Sequence, residues 1–301
     1  MMDYSRIIES VDVSFLKKTK IIVIGAGGSY SLVLALARTG IGNLIVFDFD
    51  TVDKSNLVRQ GYNLNDVGEF KVVALEKTVK KINPNVNFKG VTKNFLKMTE
   101  SEIKNHFKDA DLVLSLTDSF KAQSEINLIV LKYNIPTIWS GWYAKSRTAE
   151  LFFQIPNYTK SCFRCCMSSR YIANEKEEIK VSSNCNTIFH SQLLDGFIGF
   201  ITLAILHRNY PINDIETPLE FVLFFNEMKN EKGFVDYNFF QFKAHPLGGN
   251  KLFEKAYFDL GMKAQNFVPY WQNIEAEIPE NGYKICPDCK GTLYEMVKSK
   301  K

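Results

Sequence analysis

The stretch DFDTVDKSNLVRQ (48–60) holds the side chains best suited to chemistry. Its members with an evident use in ligand binding are Asp48, Asp50, Asn56, Arg59 and Gln60. A dehydrogenase needs one carboxylate at such a strand end, to bind a ribose, and has no evident use for the rest. An arginine can grip phosphate oxygens with two parallel hydrogen bonds, so the question is which nucleotide these additional groups would bind, and through which end.

A glycine-rich turn, GAGG (25–28), precedes this stretch and lies between an apolar strand and a helical pattern. At Gly25, Gly27 and Gly28 the backbone N–H groups would be accessible at the start of a helix, where the positive end of the dipole favours phosphate. The same turn serves NAD, FAD and ATP enzymes, and a tight turn without a ligand is the alternative. Tyr30 replaces the third glycine of the dinucleotide pattern. Its side chain is therefore expected to crowd the helix–strand contact or to cover the pocket.

Two C-x-x-C pairs, CFRC (162–165) and CPDC (286–289), predict a metal site of a different kind. Four thiolates at this spacing are typical of a tetrahedral structural zinc, which would contribute on the order of 10 kcal/mol to folding. The alternative is two unrelated pairs, and Cys166 could replace Cys165 as a ligand. The predicted ligands are Cys162, Cys165, Cys286 and Cys289.

The elements that must position these groups alternate between strands and helices as far as residue 141. Predicted strands cover 20–28, 43–50, 86–91, 111–118 and 135–141, and predicted helices cover 29–40 and 71–83. This order is typical of an α/β fold with a Rossmann-like, doubly wound and mainly parallel sheet. Ligands bind such sheets at the carboxyl ends of the strands, where Gly25, Asp48 and Asp118 would lie.

The pattern changes after residue 145, and we expect antiparallel strands to extend the sheet there. Aromatic-rich strand candidates cover 148–157, 218–228 and 236–244, with a long helix at 190–209. The polar stretch 170–183 is predicted to be a mobile loop, with a solvated helix as the alternative. We therefore expect a nucleotide-binding part with an N-terminal arm, 1–145, and a C-terminal part with the zinc site, 146–301, in one continuous unit.

Bulk composition excludes several classes of protein. The chain has 301 residues, 46% of them apolar, and a formal charge of +4 without a strongly basic block, so nucleic acid is not indicated as a partner. The N-terminus lacks the cationic and then apolar regions of a signal peptide. The apolar run 193–206 is too short to span a bilayer and contains Asp195. Six cysteines without a secretory signal fit a reducing compartment, so we expect a cytoplasmic protein without a membrane partner.

With these motifs in hand, the chain resembles the ThiF/MoeB superfamily of adenylating enzymes, which are related to the ubiquitin-activating enzymes. The resemblance rests on GAGG, on DFDTVDKSNLVRQ, on Lys71 after Gly68, on KINPNV and on SLTD, in that order. Its most specific part is the string D-x-D-x-V-x-x-S-N-L-x-R-Q. The resemblance as a whole runs from about Tyr4 to the C-terminal CPDC.

The resemblance implies that ATP and Mg²⁺ are bound and that a carboxylate is adenylated. Asp48 would hold the ribose hydroxyls, Asn56 and Arg59 would reach phosphate oxygens, and Lys71 would offer a point charge to the α-phosphate. Asp118 would bind Mg²⁺, which prefers carboxylate oxygen. The full set of predicted ATP-binding residues is Gly25, Gly27, Gly28, Asp48, Asp50, Asn56, Arg59, Gln60 and Lys71.

Two more site residues are implied by the resemblance. Arg6, in YSRII (4–8), matches an arginine that reaches into the ATP site of the partner subunit, which would require a homodimer; an ordinary surface arginine is the alternative. Cys185 lies where relatives carry a cysteine that forms a thioester or persulfide, and a helix N-terminus would help to lower its pKa. A small buried or loop cysteine is the alternative, and His190 could assist the nucleophile.

The chain departs from the family pattern at a few positions. Ser119 and Gln123 stand where relatives have Asn and Arg, Ile7 stands where they have Gln, and Tyr30 replaces a glycine. These changes predict a divergent branch, with altered nucleotide handling or a degenerate site left open.

The leading hypothesis is adenylation of the C-terminal carboxylate of a ubiquitin-like or sulfur-carrier protein. The alternatives are adenylation of a short peptide or a tRNA-linked carboxylate, and a dimeric nucleotide-binding adaptor without catalysis. An NAD-dependent oxidoreductase ranks last, because it leaves Asn56, Arg59 and Lys71 without tasks. The carboxylate itself is not identified, and the segment 245–283 is a candidate for partner binding or for packing.

Overall fold

The structure is a computed structural model that describes residues 2–143, 148–176, 186–210, 219–235, 237–243, 270–274 and 286–291. The strands are β1 (Lys20–Ile24), β2 (Asn43–Phe47), β3 (Asn87–Val91), β4 (Leu112–Ser115), β5 (Thr137–Tyr143), β6 (Thr148–Gln154), β7 (Phe239–Lys243) and β8 (Tyr270–Ile274). The helices are α1 (Val13–Leu16), α2 (Tyr30–Thr39), α3 (Lys71–Ile82), α4 (Glu100–Phe107), α5 (Phe120–Tyr133), α6 (Phe163–Cys166), α7 (Ser168–Lys176), α8 (Ile188–Leu206) and α9 (Glu220–Glu227).

The chain forms two compact units, each built from two separate stretches of sequence. The first unit comprises residues 1–116 and 187–228, and the second comprises 117–186 and 229–301. These units are defined by packing, whereas the parts 1–145 and 146–301 were defined by expected function and stay a prediction.

The first unit contains a parallel sheet with the strand order β3-β2-β1-β4. The chain moves outward from β1 to β3 and then returns to the other side of β1, which creates a topological switch point between β1 and β4. In register, Ile24 of β1 lies beside Phe47 of β2 and Ser115 of β4. The residues that follow these strands are therefore brought to one edge, as predicted.

Continuous apolar runs explain why these segments form central strands. Ile21, Ile22 and Val23 of β1 are fully buried, which fits a sheet covered on both faces. Helix α2 ends at Thr39, and its C-cap residue Gly40 has a left-handed φ of 96°, which glycine adopts without strain.

Helix α8 packs beside α2 in the first unit, and the Leu32 side chain lies close to Gly199. The helix begins at Ile188, earlier than the apolar run 193–206, and is long enough by length and composition alone to cross a membrane. The prediction that this apolar segment is too short to span a bilayer was therefore wrong. Half of the helix is buried within the protein, and Asp195 is among its buried residues.

The second unit contains antiparallel strands in the order β5-β6-β7-β8. Every residue of β6 is buried, and the Trp139 ring stacks on Phe163 with centroids 4.9 Å apart. The predicted fold class is confirmed: a mainly parallel, doubly wound sheet comes first and antiparallel strands follow in the C-terminal half. Strand β8 lies within 245–283, where the sequence predicted no strand.

Two local predictions were wrong. The segment 218–228 is not a strand, because α9 occupies Glu220–Glu227. Phe221, Val222 and Phe225 are buried while Leu223 is exposed, which is a helical period that the aromatic composition concealed.

The stretch 170–183 was predicted to be a loop, but α7 covers its beginning, Ser168–Lys176. Arg170 and Tyr171 are buried there, and Arg170 forms an ion pair with Glu150 of β6. The remainder, 177–183, lies outside the described residues.

Candidate functional site

The glycine turn follows β1 directly. Gly25 has a φ of 100°, which favours glycine, and its N–H donates to the Phe47 carbonyl at 2.8 Å. A side chain on Gly27 would come within 3.0 Å of the Gln60 amide nitrogen, whereas a side chain on Gly28 would meet open space. The turn is thus closed by protein at Gly27 and open to a ligand at Gly28.

Asp48 supports this turn from the end of β2. Its Oδ2 accepts the Ala26 N–H at 2.7 Å and its Oδ1 accepts the Asp50 N–H at 2.9 Å. Burial raises the pKa of Asp48, while the Lys71 charge and the two N–H groups oppose that rise. Since a carboxylate has about four lone-pair positions, each oxygen can still accept a ribose hydroxyl.

Lys71 is held at the same edge by an ion pair. Its Nζ lies 2.8 Å from Asp50 Oδ2, and the Lys71 side chain is 9% exposed against 53% for Asp50. Its backbone N–H also donates to the Asp50 carbonyl at 3.0 Å. The lysine is therefore held by both its backbone and its side chain, and a phosphate can compete with the exposed carboxylate for its charge.

The 53–60 segment folds into a short turn that carries the remaining predicted ligands. Asn56 is buried, and its Oδ1 accepts the Asp53 N–H at 3.0 Å, so its amide NH₂ group is what it can offer to a ligand. The N–H groups of Arg59 and Gln60 both donate to the Asn56 carbonyl. The Gln60 side chain is buried against Gly27, and its Oε1 has no hydrogen-bond partner among the residues that the structure describes.

These groups fit ATP on chemical grounds. The described edge combines open backbone at Gly28, the Lys71 cation, a carboxylate at Asp48 and a buried Gln60 Oε1 without a partner among the described residues, and Arg59 belongs to the same turn as Asn56. Cations and N–H groups suit phosphate oxygens, and a carboxylate suits ribose hydroxyls. A buried polar atom without a partner is uncommon and calls for a missing partner, here next to the turn.

Tyr30 packs away from the open part of the turn. The side chain is 5% exposed, and its hydroxyl donates to Thr78 Oγ1 at 3.1 Å. Its ring fills the space at Gly61, where a Cβ would lie 2.2 Å from Tyr30 Cδ1. The crowding predicted for this tyrosine is thus absorbed by a glycine that directly follows Gln60.

Sequence reasoning missed the residues that complete this packing. Tyr62 contacts the Tyr30 ring edge-on, with centroids 4.5 Å apart, and donates its hydroxyl to the Ala26 carbonyl at 2.8 Å. Tyr62 therefore supports the glycine turn through a hydrogen bond to its backbone. The signal was present in the order Gln60–Gly61–Tyr62, but it has meaning only once Tyr30 is known to lie beside it.

Asp118, the predicted Mg²⁺ ligand, lies in the second unit and is exposed in the loop before α5. The two atypical residues near it have local tasks. Ser119 accepts the Ala122 N–H at the start of α5, and the Gln123 amide donates to the Thr117 carbonyl at 2.7 Å. Both interactions fix the loop that carries Asp118.

The remaining predicted residues were not gathered at this edge by any described contact. Arg6 is exposed in the turn at 5–10. Cys185 lies outside the described residues, so its predicted role stays a prediction. His190 bonds to Thr187 Oγ1 at 2.7 Å in a capping box at the start of α8, and burial lowers its pKa.

The cysteine cluster is formed within the second unit. The four thiols lie within 4.8 Å of one another, and all four residues are buried. The Sγ–Sγ distances are 3.7 Å for Cys162–Cys165 and 3.8 Å for both Cys162–Cys286 and Cys165–Cys289. A zinc tetrahedron with Zn–S bonds of about 2.3 Å has edges of about 3.8 Å, so the cluster fits zinc. Cys166 is not a member of it.

Polar side chains join the two cysteine pairs. Asn127 of α5 is fully buried; it accepts the Phe163 N–H at 3.2 Å and donates to Asp288 Oδ2 at 2.8 Å. Arg164 pairs with Asp288 Oδ1 at 3.1 Å and lies 4.5 Å from the centre of the Tyr171 ring. Asn127, Arg164 and Asp288 thus connect CFRC to CPDC through groups other than the thiols.

The sequence matches a known protein family and is similar to several named proteins. The sequence model of the ThiF family matches residues 4–237. The sulfur carrier protein ThiS adenylyltransferase of Escherichia coli (strain K12) is 28% identical over 224 residues, which cover 72% of this chain and 83% of that protein. The probable adenylyltransferase/sulfurtransferase MoeZ of Mycobacterium tuberculosis is 33% identical over 141 residues, 46% of this chain and 35% of MoeZ.

Ubiquitin-like modifier-activating enzyme 5 of Dictyostelium discoideum is 30% identical over 163 residues, 50% of this chain and 42% of that protein. The chain therefore spans less than half the length of this enzyme and of MoeZ.

Solved structures of similar fold were also found. A crystal structure of E. coli MccB with ATP superposes with a TM-score of 0.61 at 16% identity and covers 92% of this chain and 68% of that chain. The crystal structure of PaaA gives a TM-score of 0.58 at 19% identity and covers 87% and 75%. At these identities the similarity concerns the fold alone.

Proposed function

The chain belongs to the ThiF family, and on this premise we propose that it uses ATP and Mg²⁺ to adenylate a carboxylate. In this reaction a carboxylate oxygen attacks the α-phosphorus, the bond between the α-phosphorus and the bridging oxygen breaks, and pyrophosphate leaves. The product is an acyl adenylate, ready for attack by a nucleophile.

One observation carries the proposal: the segment after β2 folds back onto the glycine turn. Gln60 contacts Gly27, and Lys71 is held at the end of β2 by Asp50. A nicotinamide cofactor would need one carboxylate here, whereas a triphosphate uses the additional cations and amides.

Within this proposal each group is assigned one task. Asp48 binds the ribose, the turn at Gly28 binds a phosphate through backbone N–H groups, and Arg59 grips phosphate oxygens. Lys71 exchanges its contact with Asp50 for the α-phosphate and stabilises the negative charge that develops on it. Asp118 supplies a carboxylate to Mg²⁺.

The cysteine cluster is proposed to hold zinc in a structural role. Four thiolates fill a tetrahedral shell and leave no position for a reactive water. Zinc bound there would join the C-terminal segment to the middle of the chain.

We assign the substrate as the C-terminal carboxylate of a ubiquitin-like or sulfur-carrier protein. The support comes from relatives that are named for such substrates, the ThiS adenylyltransferase and the ubiquitin-like modifier-activating enzyme. A homodimer with Arg6 acting on the partner's site, and a later transfer to Cys185, belong to the same proposal.

The test is ATP–pyrophosphate exchange in the presence of candidate carrier proteins. Exchange is expected with a carrier that ends in a free carboxylate and is not expected with the same carrier amidated at its C-terminus. Arg59→Ala and Asp118→Ala are each expected to lower the exchange rate at least 100-fold, the effect typical of removing a group that stabilises charge in the transition state.

The variant Cys185→Ala separates the first step from the second. It should keep adenylate formation and lose any carrier conjugate that a thiol reagent can release. Full exchange activity in Arg59→Ala or Asp118→Ala would overturn the assignment of that residue, and exchange with the amidated carrier would overturn the carboxylate chemistry.

A further inference from the structure

Helix α8 contributes two buried polar side chains to the first unit. Ser191 is 4% exposed and Asp195 is 7% exposed. They are four residues apart, so they lie on the same face of the helix. Each of them contacts one of the two segments that were assigned to phosphate binding from the sequence.

Ser191 contacts the segment that carries Arg59. Its hydroxyl donates to the Arg59 backbone carbonyl at 3.2 Å. This bond fixes the main chain from which the Arg59 guanidinium extends, and it does so from a residue 132 positions away in sequence.

Asp195 contacts the helix that follows the glycine turn. Its Oδ2 accepts the Leu32 N–H at 3.1 Å, and Leu32 is the third residue of α2. The first N–H groups of a helix have no partner within the helix, so this carboxylate acts as a cap that comes from another helix.

The local cap residue explains why an external one is used. Ser29 is at the N-cap position of α2 but makes no side-chain bond to the helix; its hydroxyl donates instead to the Gly25 carbonyl at 2.6 Å. Ser29 is thus committed to holding the glycine turn, and Asp195 supplies the cap that Ser29 does not.

The position of Asp195 is unfavourable for a carboxylate in the absence of such a role. Burial raises the pKa of Asp195 well above its ordinary value, and the Leu32 N–H only partly opposes this effect. Its neighbours Leu194 and Ile198 are buried and apolar. An apolar side chain at position 195 would avoid the desolvation penalty of a buried charge.

We propose that Ser191 and Asp195 are positioning residues of the nucleotide site. Together they hold the glycine turn with α2 and the Arg59 segment against one helix, so that the phosphate-binding groups of both segments are fixed before ATP arrives. Preorganised donors bind phosphate without an ordering cost at the moment of binding. This inference rests on the proposed binding of Mg–ATP.

The test compares Mg–ATP affinity with thermal stability in matched variants of the full-length, zinc-loaded protein. Asp195→Ala, which removes the acceptor, should weaken the affinity for Mg–ATP about tenfold, since loss of a helix cap has effects of about this size. Asp195→Asn keeps an acceptor oxygen and should stay within about threefold of the wild type. Ser191→Ala should weaken binding about threefold to tenfold.

Asp12→Ala is the matched control. Asp12 caps α1 through the Ser14 and Phe15 N–H groups in the same unit and has no role in the proposed site. It should lower the melting temperature without changing the affinity for Mg–ATP. The comparison separates a loss of helix stability from a loss of site geometry.

The possible results differ in what they overturn. If Asp195→Ala melts earlier but binds Mg–ATP as the wild type does, the residue is structural only and the inference is wrong. If Asp195→Ala does not fold, the affinity of Ser191→Ala decides: wild-type affinity in this variant overturns the coupling. If the wild type itself does not bind Mg–ATP, the proposed function fails, and the inference fails with it.

Discussion

The nucleotide region of the first unit and the cysteine cluster of the second unit are built in opposite ways. The nucleotide region comes from the nearly continuous stretch 25–71, and its groups are partly open: the Asp50 side chain is 53% exposed. The cysteine cluster joins residues 124 positions apart, and its members are between 0% and 7% exposed. A ligand that must enter and leave needs open groups, whereas a permanent metal is best served by a closed shell.

The supporting contacts differ in the same sense. In the nucleotide region, carboxylates accept backbone N–H groups, as Asp48 does with Ala26. In the cysteine cluster, side chains bind side chains, as Arg164 and Asn127 do with Asp288. The first arrangement fixes the backbone of the glycine turn, and the second holds two distant pairs of thiols at the spacing of a zinc tetrahedron.

Removal of one predicted zinc ligand should have the largest effect. Cys289→Ser should abolish stoichiometric zinc and strongly destabilise the second unit, since structural zinc contributes on the order of 10 kcal/mol. Metal content by atomic absorption and thermal unfolding measure both effects. Cys166→Ser is the control, because Cys166 lies outside the cluster; loss of zinc from this variant, or retention by Cys289→Ser, would show that the ligand set is different.

Gly61→Ala should have the next largest effect and tests the packing of the nucleotide region. The added Cβ would lie 2.2 Å from Tyr30 Cδ1, and overpacking of this kind costs about 3 kcal/mol. Urea unfolding measures the loss. The double variant with Tyr30→Ala should be more stable than the sum of the two single effects predicts, because the clash is then absent; strict additivity would contradict the packing described.

Asn127→Ala should have a smaller effect on the cysteine cluster. It leaves a buried Asp288 oxygen and the Phe163 N–H with one partner fewer, at a cost of about 2 kcal/mol. We expect zinc to be bound but to transfer to a chelator about tenfold faster, as measured with a colorimetric zinc indicator. An unchanged transfer rate would mean that the thiols alone hold the site together.

The smallest effect concerns pH and returns to the nucleotide region. The pKa of Asp195 is raised in the folded protein by burial. Protonated Asp195 therefore adds to the free energy of unfolding. This contribution is fully present below 3.8, the ordinary pKa, and is lost as pH rises through the raised pKa of the folded protein. Asp195→Asn cannot ionise, so its advantage in stability over the wild type should grow as pH rises above 3.8. The measurement is the free energy of unfolding in urea, taken for both proteins as a function of pH. Two parallel curves would contradict the raised pKa of Asp195.

Much of both regions could be predicted because the signals are short and local. C-x-x-C spacing fixes two ligands on one turn, and the order of Asp48, Arg59 and Lys71 places charged groups beside a strand end. What was missed depends on contacts between distant residues. The Leu32–Asp195 bond spans 163 positions, and the space for Tyr30 at Gly61 cannot be derived from either residue alone. Helix α9 was missed because its aromatic residues favour strands by composition.

The central claim is that the first unit binds Mg–ATP through the glycine turn and the groups that follow β2. Calorimetric titration of the zinc-loaded protein with Mg–ATP and, separately, with NAD tests it most directly, with Lys71→Ala and the exposed Lys77→Ala as a matched pair on α3. We predict that the wild type and Lys77→Ala bind Mg–ATP alike and do not bind NAD, and that Lys71→Ala binds Mg–ATP at least tenfold more weakly. Binding of NAD without binding of Mg–ATP would contradict the account.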